Sequence, residues 1–162
     1  MLDAHQGTAS TFWEGYRTDG SSDYSGSYMS AAHGWSTGPT SALTFHLLGI
    51  APVADGTGTY RIAPHPGGVK RAEGQLTTAR GVIAVSWQDT GKGGFGLTAT
   101  LPARTVTDVA VPVPDDSSFV VRVDGRTVWD RTARGDGVRH EAGYVHLTKL
   151  GAGKHTVTVR RR

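Results

Sequence analysis

The residues best suited to chemistry lie near the start of the chain. Glu14 is surrounded by the rings of Phe12, Trp13 and Tyr16, and the block Ala32-His33-Gly34-Trp35-Ser36-Thr37-Gly38-Pro39-Thr40 adds an imidazole and a second indole. Aromatic rings cover the apolar faces of a sugar, while a carboxylate and an imidazole hold its hydroxyls, so these residue types together point to carbohydrate. Each residue also has an ordinary reading. Glu14 could pair with Arg17 on a solvated surface, His33 could hydrogen-bond to backbone, and Trp13 and Trp35 could be core anchors instead of sugar platforms.

These side chains need elements to hold them. Residues 7–16, dense in Thr, Ser and aromatics, predict an extended segment or a short helical turn near Glu14, and residues 17–23 read as a loop. A helix is expected next, capped by Ser27, with Ala31, Ala32 and Trp35 near one face. Pro39 lacks an amide proton and clashes with the preceding turn, so Gly38-Pro39 predicts a kink or a restart with Pro39 in a first turn. Leu43, Leu47 and Leu48 give the restarted piece an apolar stripe, and Gly49 is placed to end it in a left-handed conformation.

Beyond Asp55-Gly56-Thr57-Gly58 the apolar period shortens to two. Strands are expected at residues 60–62, 75–77, 82–87, 95–101, 106–111, 119–123, 126–129 and 155–159, and Thr90-Gly91-Lys92-Gly93-Gly94 reads as a flexible loop. Asp124-Gly125 is the strongest hairpin signal, because a two-residue primed turn needs the positive φ that Asp and Gly tolerate. The fold class is therefore mainly β: an antiparallel β-sandwich preceded by a short helical segment. Its expected core is Ile62, Ile83, Val85, Trp87, Leu97, Val121, Val123 and Val157, with Trp129 also inside.

Composition narrows the function classes. With 162 residues, 37% of them hydrophobic, the chain has room for one ordinary core and a small appendage. Its 17 basic and 14 acidic residues leave a formal charge of +3, partly in Arg160-Arg161-Arg162, which is too little and too uneven to predict a nucleic-acid partner. The absence of cysteine excludes disulfides, thiolate catalysis and cysteine metal sites. The seven histidines are scattered, so no metal site is expected, and no cofactor is expected either. Gly91-Lys92-Gly93-Gly94-Phe95-Gly96 leads into a strand and lacks the Gly-Lys-Ser/Thr order of a phosphate loop. Ser10 and Ser36 lie in no nucleophile elbow. There is no run of about 18 apolar residues to cross a membrane. Met1-Leu2-Asp3-Ala4-His5-Gln6 lacks the parts of a signal peptide, so the chain as given reads as cytoplasmic, or as secreted if it belongs to a longer exported protein.

Four blocks carry a resemblance: Thr11-Phe12-Trp13-Glu14, His33 to Thr40, Leu48-Gly49-Ile50, and Tyr60-Arg61-Ile62-Ala63-Pro64-His65-Pro66-Gly67-Gly68. Their order and spacing resemble the C-terminal part of bacterial α-L-rhamnosidases of the inverting glycoside hydrolase family 78, over essentially the whole chain. In that family a six-hairpin α/α barrel carries catalysis and a β-sandwich follows it. The resemblance implies that residues 1–50 are the last elements of an incomplete barrel and residues 51–162 the accessory sandwich. It implies that Glu14 is the general base and that His33 contacts the sugar, with Trp13 and Trp35 beside them. The implied partners are a rhamnose-containing glycoside or other carbohydrate and an upstream α/α-barrel domain or chain. The family's general acid lies in an Asp-rich segment with an Arg-Glu pair and a nearby Trp, and no segment here is similar to it. Inverting hydrolysis needs two carboxyl groups about 6.5–9.5 Å apart, one to activate water and one to protonate the leaving oxygen. The chain is thus expected to supply the base side and to be inactive alone. The alternatives are a non-catalytic carbohydrate-binding or structural β-sandwich module, and an unrelated sandwich with an interaction role.

Overall fold

The computed structural model describes residues 12–15, 17–19, 30, 32–53, 58–114 and 118–162, in two compact units that divide between Ala42 and Leu43. In the first unit, residues 12–14 lie beside Ser30 and His33 through backbone hydrogen bonds from Glu14 to Ser30 and from His33 to Phe12, both 2.9 Å. His33 is extended, with φ −122° and ψ 129°, and feeds a 3₁₀ turn over Gly34–Thr37. α1 (Gly38–Ala42) follows, with Pro39 in its first turn as the sequence predicts. The expected helical cap at Ser27 and the contribution of Ala31 fall outside the described residues. Trp35 does not sit on a buried helical face: it lies in the 3₁₀ turn and is 74% exposed.

The second unit begins with a turn of π-helix over Leu43–Leu47, whose i→i−5 bonds run from Leu48 to Leu43 and from Gly49 to Thr44. This wider turn changes the phase of the predicted apolar stripe. Leu48 is buried and Leu47 half-buried, but Leu43 faces solvent. Leu48 seats over Gly74, where a Cβ would come within 2.9 Å of its Cδ2. Gly49 ends the turn at φ +88°, as expected. Its carbonyl accepts the Ala63 amide at 2.9 Å.

The strands are β1 (Ile50–Pro52), β2 (Thr59–Ile62), β3 (Arg71–Thr78), β4 (Gly81–Gly91), β5 (Gly94–Leu101) and β6 (Val106–Pro112), then β7 (Phe119–Val123), β8 (Arg126–Asp130), β9 (Thr132–Ala133), β10 (Val138–Glu141), β11 (Tyr144–Leu150) and β12 (Gly153–Arg161). They form two sheets, ordered β1-β2-β6-β11-β10 and β3-β4-β5-β12-β7-β8-β9. Alternation decides which side chains meet between the sheets. Ile83, Val85 and Trp87 of β4, Phe95, Leu97 and Ala99 of β5, and Val157 and Val159 of β12 share one core cluster with Ile50, Ile62, Val109, Val111, Val145 and Leu147 of the other sheet. Trp87 stacks on Phe95 with ring centroids 5.6 Å apart, and its indole N–H donates to the Leu47 carbonyl at 3.1 Å, which fastens the π turn to the sheet. Trp129 stacks on Phe119 and is partly buried. The expected core is therefore observed, except that Val123, beside a turn, is only partly buried.

Four details differ from the sequence reading. The sheets are not wholly antiparallel, because β2 pairs in parallel with β6, from Thr59 against Val106 to Ile62 against Val109. Parallel neighbours need a long connection, and here the chain between them builds β3, β4 and β5 of the other sheet. The glycine-rich run at 90–94 is a tight two-residue turn, with Lys92 at φ 51° and Gly93 at φ 78° between paired Gly91 and Gly94. β10 and β11, joined at Ala142-Gly143 with φ 51° and 77°, belong to the sandwich although no strands were expected there. β1 and the two-residue β9 are likewise additional strands.

The Asp124-Gly125 turn adopts φ 49° and 81°, as its sequence predicts. Asp124 is further tied to β12: its Oδ1 accepts the Thr156 amide at 2.8 Å and its Oδ2 lies 2.9 Å from His155 Nδ1. The Thr156 amide first, and His155 second, hold the Asp124 carboxyl below its ordinary value against a smaller opposing effect of desolvation. A carboxyl depressed in the folded state stabilises the protein above its unfolded pKa, and that contribution is lost as pH falls through the folded value. Asp124→Asn is therefore expected to destabilise the protein slightly at neutral pH, by less than about 1 kcal/mol at this half-exposed site, read as a small drop in melting temperature. Melting curves of variant and wild type should begin to converge below about pH 4 and coincide only once pH falls past the lowered folded value. A difference that persists unchanged at low pH would show that the carboxylate's charge is not what matters.

Candidate functional site

The first unit brings Glu14, His33 and Trp35 together. Backbone pairing of Glu14 with Ser30 and of Phe12 with His33 sets Glu14 opposite Ser30, whose amide donates to Glu14 Oε2 at 3.0 Å. His33 Nδ1 lies 3.6 Å from the same oxygen, a close electrostatic contact just beyond hydrogen-bond length. The Glu14 and His33 side chains are 23% and 29% exposed, so both are partly open to solvent. The Ser30 and His33 contacts of the Glu14 carboxylate are both to Oε2.

The backbone of Glu14 is also held. Its carbonyl accepts from the Trp35 indole N–H at 3.3 Å and from the Ser36 hydroxyl at 3.5 Å. The Trp35 ring packs on His33, with centroids 4.2 Å apart and planes tilted by 39°, and presents its other surface to solvent. A reciprocal arrangement of the Ser30 hydroxyl with the Ala32 amide and carbonyl, at 3.3 and 2.9 Å, shapes the approach to His33. Trp13 is buried. The four residues singled out in the sequence thus fall into an open group of acid, imidazole and indole, and one buried indole next to Glu14 in the chain. Ser30 and Ser36 were not foreseen. Ser30 acts through its amide, and a backbone group has no signature in the sequence.

Among the described residues no cluster of His, Cys, Asp or Glu could hold a metal ion. What this arrangement offers is an accessible carboxylate whose one oxygen is oriented by a backbone amide, an imidazole within reach of the same ligand, and an exposed indole face. Such a group can hold hydroxyls through its carboxylate and imidazole and cover an apolar face through its indole.

The sandwich and the short helical segment define the class of this chain as a β-sandwich domain with a helical lead-in. Residues 49–125 match the family model described as the bacterial alpha-L-rhamnosidase C-terminal domain, so that segment is similar to such domains. An alpha-L-rhamnosidase of Streptomyces avermitilis is 33% identical over 93 residues, covering 52% of this chain and 9% of that protein. The solved structure of α-L-rhamnosidase from Dictyoglumus thermophilum superposes with a TM-score of 0.73 at 20% identity, over 93% of this chain and 16% of its own. The Streptomyces avermitilis α-L-rhamnosidase, complexed with L-rhamnose, superposes with a TM-score of 0.67 at 27% identity, over 93% of this chain and 14% of its own. The chain thus spans only a small part of the length of these relatives.

Proposed function

We propose that the chain supplies the general-base side of an inverting α-L-rhamnosidase-type glycoside hydrolase whose general acid resides on an upstream α/α-barrel domain or chain. The observation that carries this reading is the Glu14 carboxylate, oriented through Oε2 by the Ser30 amide, with His33 3.6 Å away and Trp35 stacked on His33. On this reading residues 1–50 are the end of that barrel and residues 51–162 its accessory sandwich.

Glu14 Oε1 accepts a proton from water as the water oxygen bonds to the anomeric carbon of a rhamnoside. The bond from that carbon to the leaving oxygen breaks on the opposite face, and the general acid of the partner protonates the leaving oxygen. His33 holds a sugar hydroxyl and Trp35 covers an apolar face of the ring. One observation favours a second reading, a structural sandwich module without a catalytic share: the family match covers the sandwich and not the segment bearing Glu14.

The two readings separate by reconstitution. The chain alone is expected to show no turnover of an aryl α-L-rhamnoside, because without leaving-group protonation the reaction forfeits about 10²–10⁴-fold. Adding a separately produced α/α barrel that carries the Asp-rich acidic segment is expected to restore hydrolysis, with the β-anomer of rhamnose as the first product by NMR. Turnover by the chain alone, or retention of configuration, would reject the proposed division of labour.

A further inference from the structure

The outward face of the seven-stranded sheet has a composition that the function above does not use. Register places Arg71, Gln88, Gly96, Thr158 and Arg122 in one row across β3, β4, β5, β12 and β7. Glu73, Ser86, Thr98 and Thr156 form the next row. Consecutive partners point to the same side, so both rows share the face opposite Val85, Trp87, Leu97 and Val157. Along these rows runs an open trough of about 510 Å³, lined by Arg71, Glu73, Ser86, Gln88, Thr98 and Thr156. A second hollow of about 530 Å³ shares Glu73, Ser86 and Thr98 and extends the trough to Lys154. A third, lined by Arg122, Thr158 and Arg160, continues it beyond β12.

Gly96 gives the trough its floor. Its φ is not in the left-handed range, and a Cβ there would meet nothing within 4 Å, so neither backbone geometry nor packing demands a glycine. Charge on this face is one-sided. Arg71, Arg122, Lys154 and Arg160 oppose Glu73, and none of the five is ion-paired among the described residues, whereas nearby Asp130 is engaged by Arg134 and Arg162. Four strand spacings separate Arg71 from Arg122, roughly 19 Å, with hydroxyls and an amide between them. Guanidinium groups take carboxylates in bidentate fashion, and rows of Ser, Thr and Gln match vicinal hydroxyls. No outward residue of β3, β4, β5, β12 or β7 is aromatic, so the face has no platform for stacking nucleobases.

We propose that this face binds an acidic oligosaccharide, a chain of sugar units bearing carboxylates, laid across the strands from Arg71 to Arg122. The choice of a carbohydrate rests on the rhamnosidase-type reading, but the site is separate from Glu14.

The test is titration of the full chain with a galacturonic acid tetramer, followed by calorimetry and by NMR shifts of the β3, β4, β5 and β12 amides. A neutral glucose tetramer and a short single-stranded oligodeoxynucleotide serve as parallel arms. The acidic tetramer is expected to bind, more weakly as salt rises, and to shift amides of the two rows. Arg71→Gln and Arg122→Gln are each expected to weaken it about tenfold. Gly96→Trp, which fills the floor, is expected to weaken it at least as much, while Arg139→Gln, which removes the same charge from β10 of the other sheet, leaves it unchanged. No binding, equal binding of the neutral tetramer, tighter binding of the oligonucleotide, or indifference to Gly96→Trp would each overturn the proposal. Because this proposal is read by binding and amide shifts on the sheet and the catalytic reading by turnover, failure of one is distinguishable from failure of the other.

Discussion

Glu14→Gln is expected to lower rhamnoside hydrolysis by the reconstituted chain and barrel about 10²–10⁴-fold while leaving the melting temperature of the sandwich unchanged. The substitution keeps the size of the side chain and an oxygen able to accept the Ser30 amide, which is 3.0 Å from Oε2 in the native protein. It removes the capacity to take a proton from water at neutral pH. The loss should therefore fall on kcat, with KM little altered, because the sugar contacts assigned to His33 and Trp35 remain. His33→Ala should act differently, raising KM more than it lowers kcat. Unchanged turnover in Glu14→Gln would leave this carboxylate with a structural role and would favour the sandwich module.

Gly49→Ala is expected to destabilise the sandwich by about 2–5 kcal/mol, a large part of the 5–15 kcal/mol typical of a domain. Two effects add. Gly49 sits at φ +88°, where a side chain costs roughly 1–2 kcal/mol. A Cβ there would also come within 2.4 Å of the backbone of Ala63 and Pro64, and backbone cannot rotate away as a side-chain tip does. The strain falls where Gly49 accepts the Ala63 amide, so the junction of the π turn with β1 and β2 should loosen first. Thermal unfolding should show a midpoint lower by roughly 10 °C. Gly96→Ala is the matched control: with no left-handed φ and nothing within 4 Å of its Cβ, it should change the midpoint little. Equal shifts for the two variants would mean that the close approach at Gly49 is relaxed in solution.

Much of the sandwich was legible before any coordinates because strand alternation and tight turns are local properties. Ile83, Val85 and Trp87 alternate in the sequence and are buried together, and Asp124-Gly125 adopts the positive φ values that its composition invites. The break at Gly38-Pro39 and the left-handed Gly49 follow from backbone constraints of single residues. β10 and β11 carried a weaker signal, since Ala142-Gly143 is a less marked turn pair than Asp124-Gly125 and the strand between Tyr144 and Leu150 mixes polar residues into its alternation. The candidate site was legible as residue types, and Glu14, His33 and Trp35 do meet, but their neighbours Ser30 and Ser36 were not readable because they act through an amide and through a distant carbonyl.

The amino-acid sequence by itself thus determined the β period, the main turns and most of the core, each a matter of a few consecutive residues. The tertiary structure alone decided the order of strands, the parallel pairing of β2 with β6, the phase of the π turn that buries Leu48 and exposes Leu43, and the orientation of the Glu14 carboxylate by an amide 16 residues away. Those features depend on which distant segments come to share a hydrogen-bond ladder or a packing surface. Such a choice is made by the free energy of the whole assembly, and no local pattern encodes it.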